Sequence, residues 1–162
     1  MKDLILVRHA KSDWPNVSDI DRPLSERGER DCDVATKYFE SVQNLNEYEV
    51  HVSLAKRTQQ TWQLIAQGLQ SRLKTVVTEE IYEASLGDLL AYLNKQVADK
   101  IILIGHNPSM PRLGAYLTGT EVLKFPTLSI WHIQSDSPWE ANLARSIQRL
   151  TPRANPESSD VD

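Results

Sequence analysis

The sequence predicts an α/β sandwich in three layers, with a mostly parallel sheet and helices on both of its faces. Short apolar runs that are typical of buried strands alternate with segments in which apolar residues recur every three or four positions. Strands that alternate with helices favour parallel pairing, because each helix returns the chain to the same edge of the sheet. A length of 162 residues, 40% of them hydrophobic, suits one globular domain.

The elements follow in order along the chain. The apolar runs predict strands over residues 4–7, 49–53, 75–78, 100–104 and 127–133. Helical periodicity predicts helices from residue 25 onward, over residues 55–69, from residue 85 onward and over residues 108–117. Ser85 and Asp88 form an S-x-x-D pattern that caps the beginning of a helix.

The last part of the chain is ambiguous. Leu143, Ile147 and Leu150 have the spacing of a helix, whereas residues 139–143 fit an edge strand equally well. Both alternatives remain open. Residues 1–152 are assigned to a single domain, and residues 153–162 to a polar, acidic and disordered tail.

Composition excludes several classes of function. A net charge of −4 and a pI near 5.6 argue against a general nucleic-acid or acidic-membrane binder, which needs a basic face. The single cysteine, Cys32, excludes an intramolecular disulfide and occupies an apolar position, so we expect it in the core. The apolar run at residues 4–7 is too short for a signal peptide, and no segment approaches a membrane span. We expect a cytoplasmic protein.

Two histidines and two arginines follow the predicted strands. Arg8 and His9 end the first strand, His106 follows the fourth, and Arg57 lies just beyond the second. In open α/β sheets ligands bind outside the carboxyl ends of the strands, so these side chains are expected to converge there. Guanidinium groups match phosphate oxygens bidentately, and the sequence lacks a glycine-rich phosphate loop. We therefore predict a phosphate pocket built from side chains.

Purely structural histidines and a metal site are the alternatives to a phosphate pocket. A single histidine after a strand is usually structural, and His51 and His132 lie inside predicted strands, where we expect structural roles. Zinc requires three or four suitably spaced ligands, and neither H-x-H nor H-E-x-x-H occurs. Arginine beside histidine also repels a cation. We expect no metal and no cofactor.

Four motifs in this order resemble a known family. They are "LVRHAKS" (residues 6–12), "DRPLSERG" (residues 21–28), "SLAKRTQQT" (residues 53–61) and "LIGHNPSM" (residues 103–110). The first and fourth resemble the two histidine motifs of the histidine phosphatase superfamily, and the third resembles the motif that carries its second arginine. The second motif is similar to a segment of its short, SixA-like branch, the protein phosphohistidine phosphatases.

The resemblance implies a phosphoglycerate mutase-like fold without a cap domain, and a covalent mechanism. His9 would be the nucleophile that takes up the phosphoryl group, with Arg8, Arg57 and His106 around it. Glu83 is a candidate proton donor to the leaving group; a solvated loop carboxylate is the alternative, and His106 could also donate.

Further residues are secondary candidates for phosphate binding. Lys11 and Ser12 follow the nucleophile, and Asn107 follows His106. Arg22 either orders the loop through a salt bridge, which we favour, or reaches the substrate. The resemblance implies a phosphorelay-type phosphoprotein as partner. The alternatives are a phosphorylated small molecule as substrate, a phosphomutase, or a non-catalytic phosphate-recognition module.

Overall fold

A computed structural model describes residues 1–157 of the chain. Within those residues, six strands form one sheet: β1 (Lys2–Arg8), β2 (Glu49–Ser53), β3 (Thr75–Thr78), β4 (Lys100–Gly105), β5 (Ile130–Ser135) and β6 (Arg145–Leu150). The α-helices of this region are α1 (Glu26–Glu40), α2 (Lys56–Gln67), α3 (Leu86–Asn94) and α4 (Ser109–Thr118). Short 3₁₀ turns lie at Asp19–Asp21, Leu45–Glu47 and Glu79–Ile81.

The sheet has the order β3-β2-β4-β1-β5-β6. Strands β1 to β4 run parallel, whereas β5 is antiparallel to β1 and β6 is antiparallel to β5. The prediction of a mostly parallel sheet is confirmed. Because the four parallel strands point the same way, the residues that follow β1, β2 and β4 gather at one edge of the sheet.

Helices cover both faces, as predicted. Helices α1 and α2 pack against one face, where Phe39 and Trp62 meet edge to face with ring centroids 5.7 Å apart. Helices α3 and α4 pack against the other face, around the fully buried Trp131. Cys32 is fully buried in the first layer, and burial raises the pKa of its thiol to about 12, so it is an unreactive core residue.

Local hydrogen bonds fix where the helices begin. Ser85 and Asp88 form the reciprocal capping box that the sequence predicts. Ser25 caps α1 by accepting a hydrogen bond from the backbone N–H of Gly28, 3.0 Å away. A Cβ atom at Gly28 would lie 2.1 Å from the carbonyl oxygen of Lys11, so only glycine allows α1 to pack this closely against the loop after β1.

Two expectations about the second half of the sheet are wrong. Strand β5 begins at Ile130 and not at residue 127, because Leu128 has a φ of 60° and interrupts extended backbone. The helix through residues 143–150 does not form; this segment contains β6, an edge strand in which Ile147 is half exposed. The edge-strand alternative was correct in kind, but the strand lies at residues 145–150 instead of 139–143.

The end of the described chain packs against the domain. Arg153 donates from Nη1 to the carbonyl of Thr127 at 2.8 Å, and the backbone N–H of Ala154 donates to Asp31 Oδ1 at 2.8 Å. Residues 158–162 of the predicted disordered tail lie outside the described residues. Across residues 1–157, no helix combines the length and apolar character needed to cross a bilayer.

Candidate active site

The carboxyl ends of the parallel strands bring the four predicted side chains together. Arg8 is the last residue of β1 and pairs in register with Gly105 of β4, so His9 and His106 follow adjacent strands. Their ring centroids are 5.5 Å apart. Arg57 lies in the first turn of α2, which begins soon after β2. All four side chains are buried.

The hydrogen bonds of His9 determine which of its ring nitrogens has a free lone pair. Nδ1 lies 2.7 Å from the carbonyl oxygen of Ala10, which can only accept, so Nδ1 carries the proton. Nε2 of the neutral ring is therefore the nitrogen with a free lone pair. The backbone of His9 is held as well, because its N–H donates to Gly105 and its carbonyl accepts from Leu128.

The surroundings of His9 keep it neutral. Burial is the main cause that lowers the pKa of His9 well below 6.5, while the hydrogen bond to Ala10 opposes this. Positive charge on Arg8 and Arg57 lowers the pKa further. The arginines thus favour the neutral ring, but desolvation has the larger effect.

His106 is neutral for the same reasons and has the opposite tautomer. Arg57 Nη2 lies 3.3 Å from His106 Nδ1, and because a guanidinium only donates, Nδ1 accepts. The proton is then on Nε2, which donates to Ser53 Oγ at 2.7 Å. Burial, followed by the charge of Arg57, lowers the pKa of His106 to about 4.

A single backbone carbonyl holds Arg8 and Asn107. The oxygen of Phe125 accepts hydrogen bonds from Arg8 Nη1 and from Asn107 Nδ2, both at 3.1 Å. The loop before β5 therefore holds two of the predicted phosphate ligands in place.

Arg57 makes contacts that the sequence did not predict. Its Nη1 donates to the backbone carbonyl of Asp19 at 2.8 Å, and its Nη2 lies 3.2 Å from Asp19 Oδ2. The hydroxyl of Tyr82 donates to the same Oδ2 at 2.6 Å. These interactions lower the pKa of Asp19 to about 2, with the Tyr82 hydrogen bond as the largest cause.

Arg22 orders the loop that carries Asp19. Its Nη2 donates to Ser12 Oγ at 2.6 Å, its Nε donates to the carbonyl of Asp13 at 3.0 Å, and its guanidinium stacks 3.2 Å from the ring centroid of Trp14. A further contact joins Arg22 Nη1 to Asp19 Oδ1 at 3.3 Å. The Ser12 hydroxyl is therefore engaged with Arg22. The carbonyl of the neighbouring Lys11 accepts from the backbone N–H and hydroxyl of Ser25.

A cavity of about 460 Å³ opens beside these residues. Its wall includes Asp19, Arg57, His106, Tyr82 and the exposed Glu83, whose φ of 54° places it in the left-handed region. The structure thus puts the predicted proton donor on the same cavity as three of the predicted phosphate ligands, Arg57, His106 and Asn107. His9 is not part of this wall.

The donor set suits an anion better than a metal ion. Among residues 1–157, no group of three histidine, cysteine or carboxylate side chains is arranged to hold a metal. Arg8 and Arg57 also place positive charge beside both histidines, which opposes a cation and attracts an oxyanion.

The sequence model of the histidine phosphatase superfamily (branch 1) matches residues 4–103, well over half of the chain. The chain belongs to the histidine phosphatase superfamily. The matched region contains Arg8, His9 and Arg57, and His106 follows it by three residues. Family membership indicates a phosphatase. A comparison with curated proteins found no match to this chain.

Solved structures of similar fold cover nearly the whole chain. The candidate phosphohistidine phosphatase SixA from Agrobacterium tumefaciens is 24% identical with a TM-score of 0.80, covering 93% of this chain and 98% of that one. The candidate SixA from Nakamurella multipartitia is 20% identical, with a TM-score of 0.77 and coverages of 93% and 96%. The protein histidine phosphatase SixA in complex with tungstate is 22% identical, with a TM-score of 0.75 and coverages of 93% and 97%. At these identities the likeness establishes the fold.

Proposed function

We propose that this protein is a metal-independent phosphatase that hydrolyses phosphohistidine on proteins through a covalent phosphorylated intermediate on His9. The observation that carries the proposal is the tautomer of His9. Nδ1 donates to the carbonyl of Ala10, so the neutral Nε2 has a lone pair available for attack on phosphorus. Burial and the two neighbouring arginines hold the ring in this form.

In the first step, Nε2 of His9 forms a bond to phosphorus while the bond from phosphorus to the leaving group breaks. Arg8 and Arg57 neutralise the equatorial oxygens, whose charge must be stabilised as the phosphoryl group moves. The charge comes from side chains, so the reaction needs no metal ion and chelation by EDTA is expected to leave the activity unchanged.

The leaving group needs a proton, and two residues can supply one. His106 becomes a donor once a phosphoryl dianion lies beside it, because negative charge raises the pKa of an imidazole. Arg57 must then turn from His106 Nδ1 to the phosphoryl oxygens, which frees that nitrogen to carry the proton. Glu83, on the wall of the same cavity, is the second candidate.

In the second step, a water oxygen forms a bond to phosphorus as the bond to His9 Nε2 breaks. Both protons of the water leave with the product as dihydrogen phosphate, and His9 returns to its neutral form with Nδ1 still donating to the carbonyl of Ala10. Asn107 and Arg22 support this cycle by holding the surrounding loops. Lys11 and Ser12 are proposed to contact phosphate; the Ser12 hydroxyl accepts from Arg22, which leaves its own O–H to donate to a phosphate oxygen.

The shape of the site supports a protein substrate. The chain between Arg57 and His106 contains the remainder of α2, then β3, a 3₁₀ turn, α3 and β4, which all belong to the sandwich, so no inserted cap encloses the site. A phosphorylated side chain on a protein surface can approach such a site. The partner we propose is a cytoplasmic, phosphorelay-type phosphoprotein. The similarity in fold to proteins described as SixA phosphohistidine phosphatases supports the phosphohistidine part of this proposal.

A phosphorylated small molecule is the second candidate substrate. The observation that favours it is the cavity of about 460 Å³, which is large enough to hold a small phosphomonoester. A non-catalytic module that only binds phosphate would require neither attack by His9 nor release of phosphate from a substrate. Turnover therefore distinguishes such a module from a phosphatase.

The test compares phosphate release from two substrate classes. One is a histidine-phosphorylated phosphotransfer protein, and the other is a set of small phosphomonoesters that includes an aryl phosphate. We expect a kcat/KM at least an order of magnitude higher on the protein, with His9→Ala as the blank. A higher kcat/KM on a small phosphomonoester would favour the second candidate. If the protein turns over neither substrate class, the non-catalytic phosphate-recognition module is the better interpretation.

A further inference from the structure

The carboxylate of Asp19 pairs with Arg57, the arginine that the proposed mechanism assigns to phosphate binding. We infer that its carboxylate is a built-in competitor of the phosphoryl group: it pairs with Arg57 in the free enzyme, is displaced when phosphate binds, and returns to Arg57 as the product leaves. The inference rests on the proposed role of Arg57 in phosphate binding. It assigns to Asp19 a control over how tightly the site holds substrate and product.

The geometry at Arg57 sets the Asp19 carboxylate against an incoming phosphoryl group. A guanidinium binds an oxyanion bidentately through its Nη1–Nη2 edge or through its Nε–Nη2 edge, and Nη2 gives one of its two N–H groups to each edge. In the structure Nη2 lies 3.2 Å from Asp19 Oδ2 and 3.3 Å from His106 Nδ1, while Nη1 donates to the Asp19 carbonyl. A phosphoryl group on the Nη1–Nη2 edge must therefore take the place of the Asp19 carboxylate, and one on the Nε–Nη2 edge replaces His106 Nδ1 and lies beside that carboxylate.

The competitor is a permanent anion that is held in place. Tyr82 donates to Oδ2, the oxygen that faces Arg57, and Arg22 contacts the other oxygen. Because the pKa of Asp19 is lowered to about 2, the group carries its charge at every pH at which the protein functions. For the same reason it cannot serve as the proton donor to the leaving group.

The position of Asp19 allows it to move. Its side chain is 47% exposed, whereas that of Arg57 is 7% exposed, so Asp19 can move into solvent when a ligand binds. Asp19 and Arg57 both line the cavity whose wall also includes His106. A carboxylate left beside a bound phosphoryl dianion would repel it, so Asp19 must either leave or weaken binding.

The test measures the affinity of the protein for inorganic phosphate and for tungstate by calorimetry. Asp19→Asn keeps the shape of the side chain but removes the competing charge, so we expect both anions to bind about tenfold more tightly, since hydrogen bonds to charged groups are worth more than one factor of ten. Asp21→Asn is the matched control. Asp21 lies in the same 3₁₀ turn, pairs with Ser18 and does not line this cavity, so that variant should bind both anions as the wild type does.

The sign of the effect separates competition from positioning. If Asp19 only oriented Arg57, its replacement would weaken anion binding, and a weaker or unchanged affinity would overturn the inference. Tyr82→Phe should tighten binding by a smaller factor, because it loosens the oxygen that faces Arg57. Combined with Asp19→Asn it should add almost nothing, since Tyr82 acts through Asp19.

The binding experiment does not depend on turnover, so the inference and the proposed function can fail separately. Tighter binding by Asp19→Asn in a protein that never transfers phosphate would uphold the competitor and reject the phosphatase. Turnover by the wild type together with unchanged anion binding in Asp19→Asn would do the reverse. Thermal unfolding of each variant confirms that the compared proteins are folded.

Discussion

The two ends of β1 place histidine in opposite surroundings. At the amino end, the buried Asp3 accepts hydrogen bonds from His132 Nε2 and from Gln134 Nε2, both at 2.8 Å, so the anion that faces this histidine belongs to the chain. At the carboxyl end, His9 is buried beside Arg8 and Arg57. The first end is a complete hydrogen-bonded network, whereas the second favours an anion from outside. The charge of its neighbours, more than the residue type, gives each histidine its role.

The largest effect should come from removing His9, with removal of His132 at the other end of β1 as the comparison. His9→Ala is expected to abolish phosphate release, because it removes the neutral Nε2 that bonds to phosphorus in the proposed mechanism. His132→Ala should retain activity, since it removes only the hydrogen bond from His132 to Asp3 at the far end of β1. Steady-state rates on one phosphohistidine protein test both variants. Equal activity of the two would erase the distinction between the ends of β1.

A smaller effect should follow from changing the shape of a cation while keeping its charge. Arg57→Lys should lose about 2–4 kcal/mol of transition-state stabilisation, because an ammonium cannot make a bidentate contact with phosphate. The measurement is the ratio of kcat/KM values. Arg145→Lys, in an exposed pair with Asp136, is the control and should have no effect. A wild-type rate for Arg57→Lys would remove Arg57 from the site.

Acid should destabilise the fold through the histidines at the carboxyl end. The pKa of His106 is about 4 in the folded protein against 6.5 in an unfolded chain, so between these values the unfolded chain binds more protons. Stability is then lost as the pH falls, by about 2 kcal/mol from pH 6.5 to pH 5. Urea unfolding of the wild type and of His106→Gln measures this, since the variant should lack that part of the loss. Identical pH profiles would show that His106 is not held neutral.

The smallest effect concerns stability alone. Asp3→Ala leaves His132 and Gln134 without their buried acceptor, which should cost about 1–3 kcal/mol of unfolding free energy. Thermal or urea unfolding checks the cost. The catalytic rate should be unchanged, because this network lies at the opposite end of β1. A loss of rate with intact folding would mean that the two ends are coupled.

The sequence predicts the carboxyl end of the sheet well because its signals are local. Arg8 ends β1, and His9 and His106 directly follow β1 and β4, whose apolar runs are clear in the sequence. Parallel topology then places these strand ends together without further information. The cap at Ser85 is also local, because its partner Asp88 is three residues away. The same logic explains why the bounds of β2 and β3 agree with the prediction.

Contacts between distant residues could not be predicted in this way. Tyr82 and Asp19 are 63 residues apart, and in the sequence Asp19 resembles its neighbour Asp21, which lies outside the site. Strand β6 was missed because Ile147, which suggested a helical seam, is half exposed on an edge strand. Desolvation of His9 depends on the packing of the whole site, so it has no counterpart in the sequence.

The central claim is that His9 accepts the phosphoryl group. Brief reaction with a labelled phosphohistidine protein, followed by denaturation in base and mass spectrometry, tests it most directly. The account predicts one phosphoryl group on His9, stable in base and labile in acid, which is absent from His9→Ala and present in His132→Ala. Turnover by the wild type with no such intermediate, or a phosphoryl group on another residue, would contradict it.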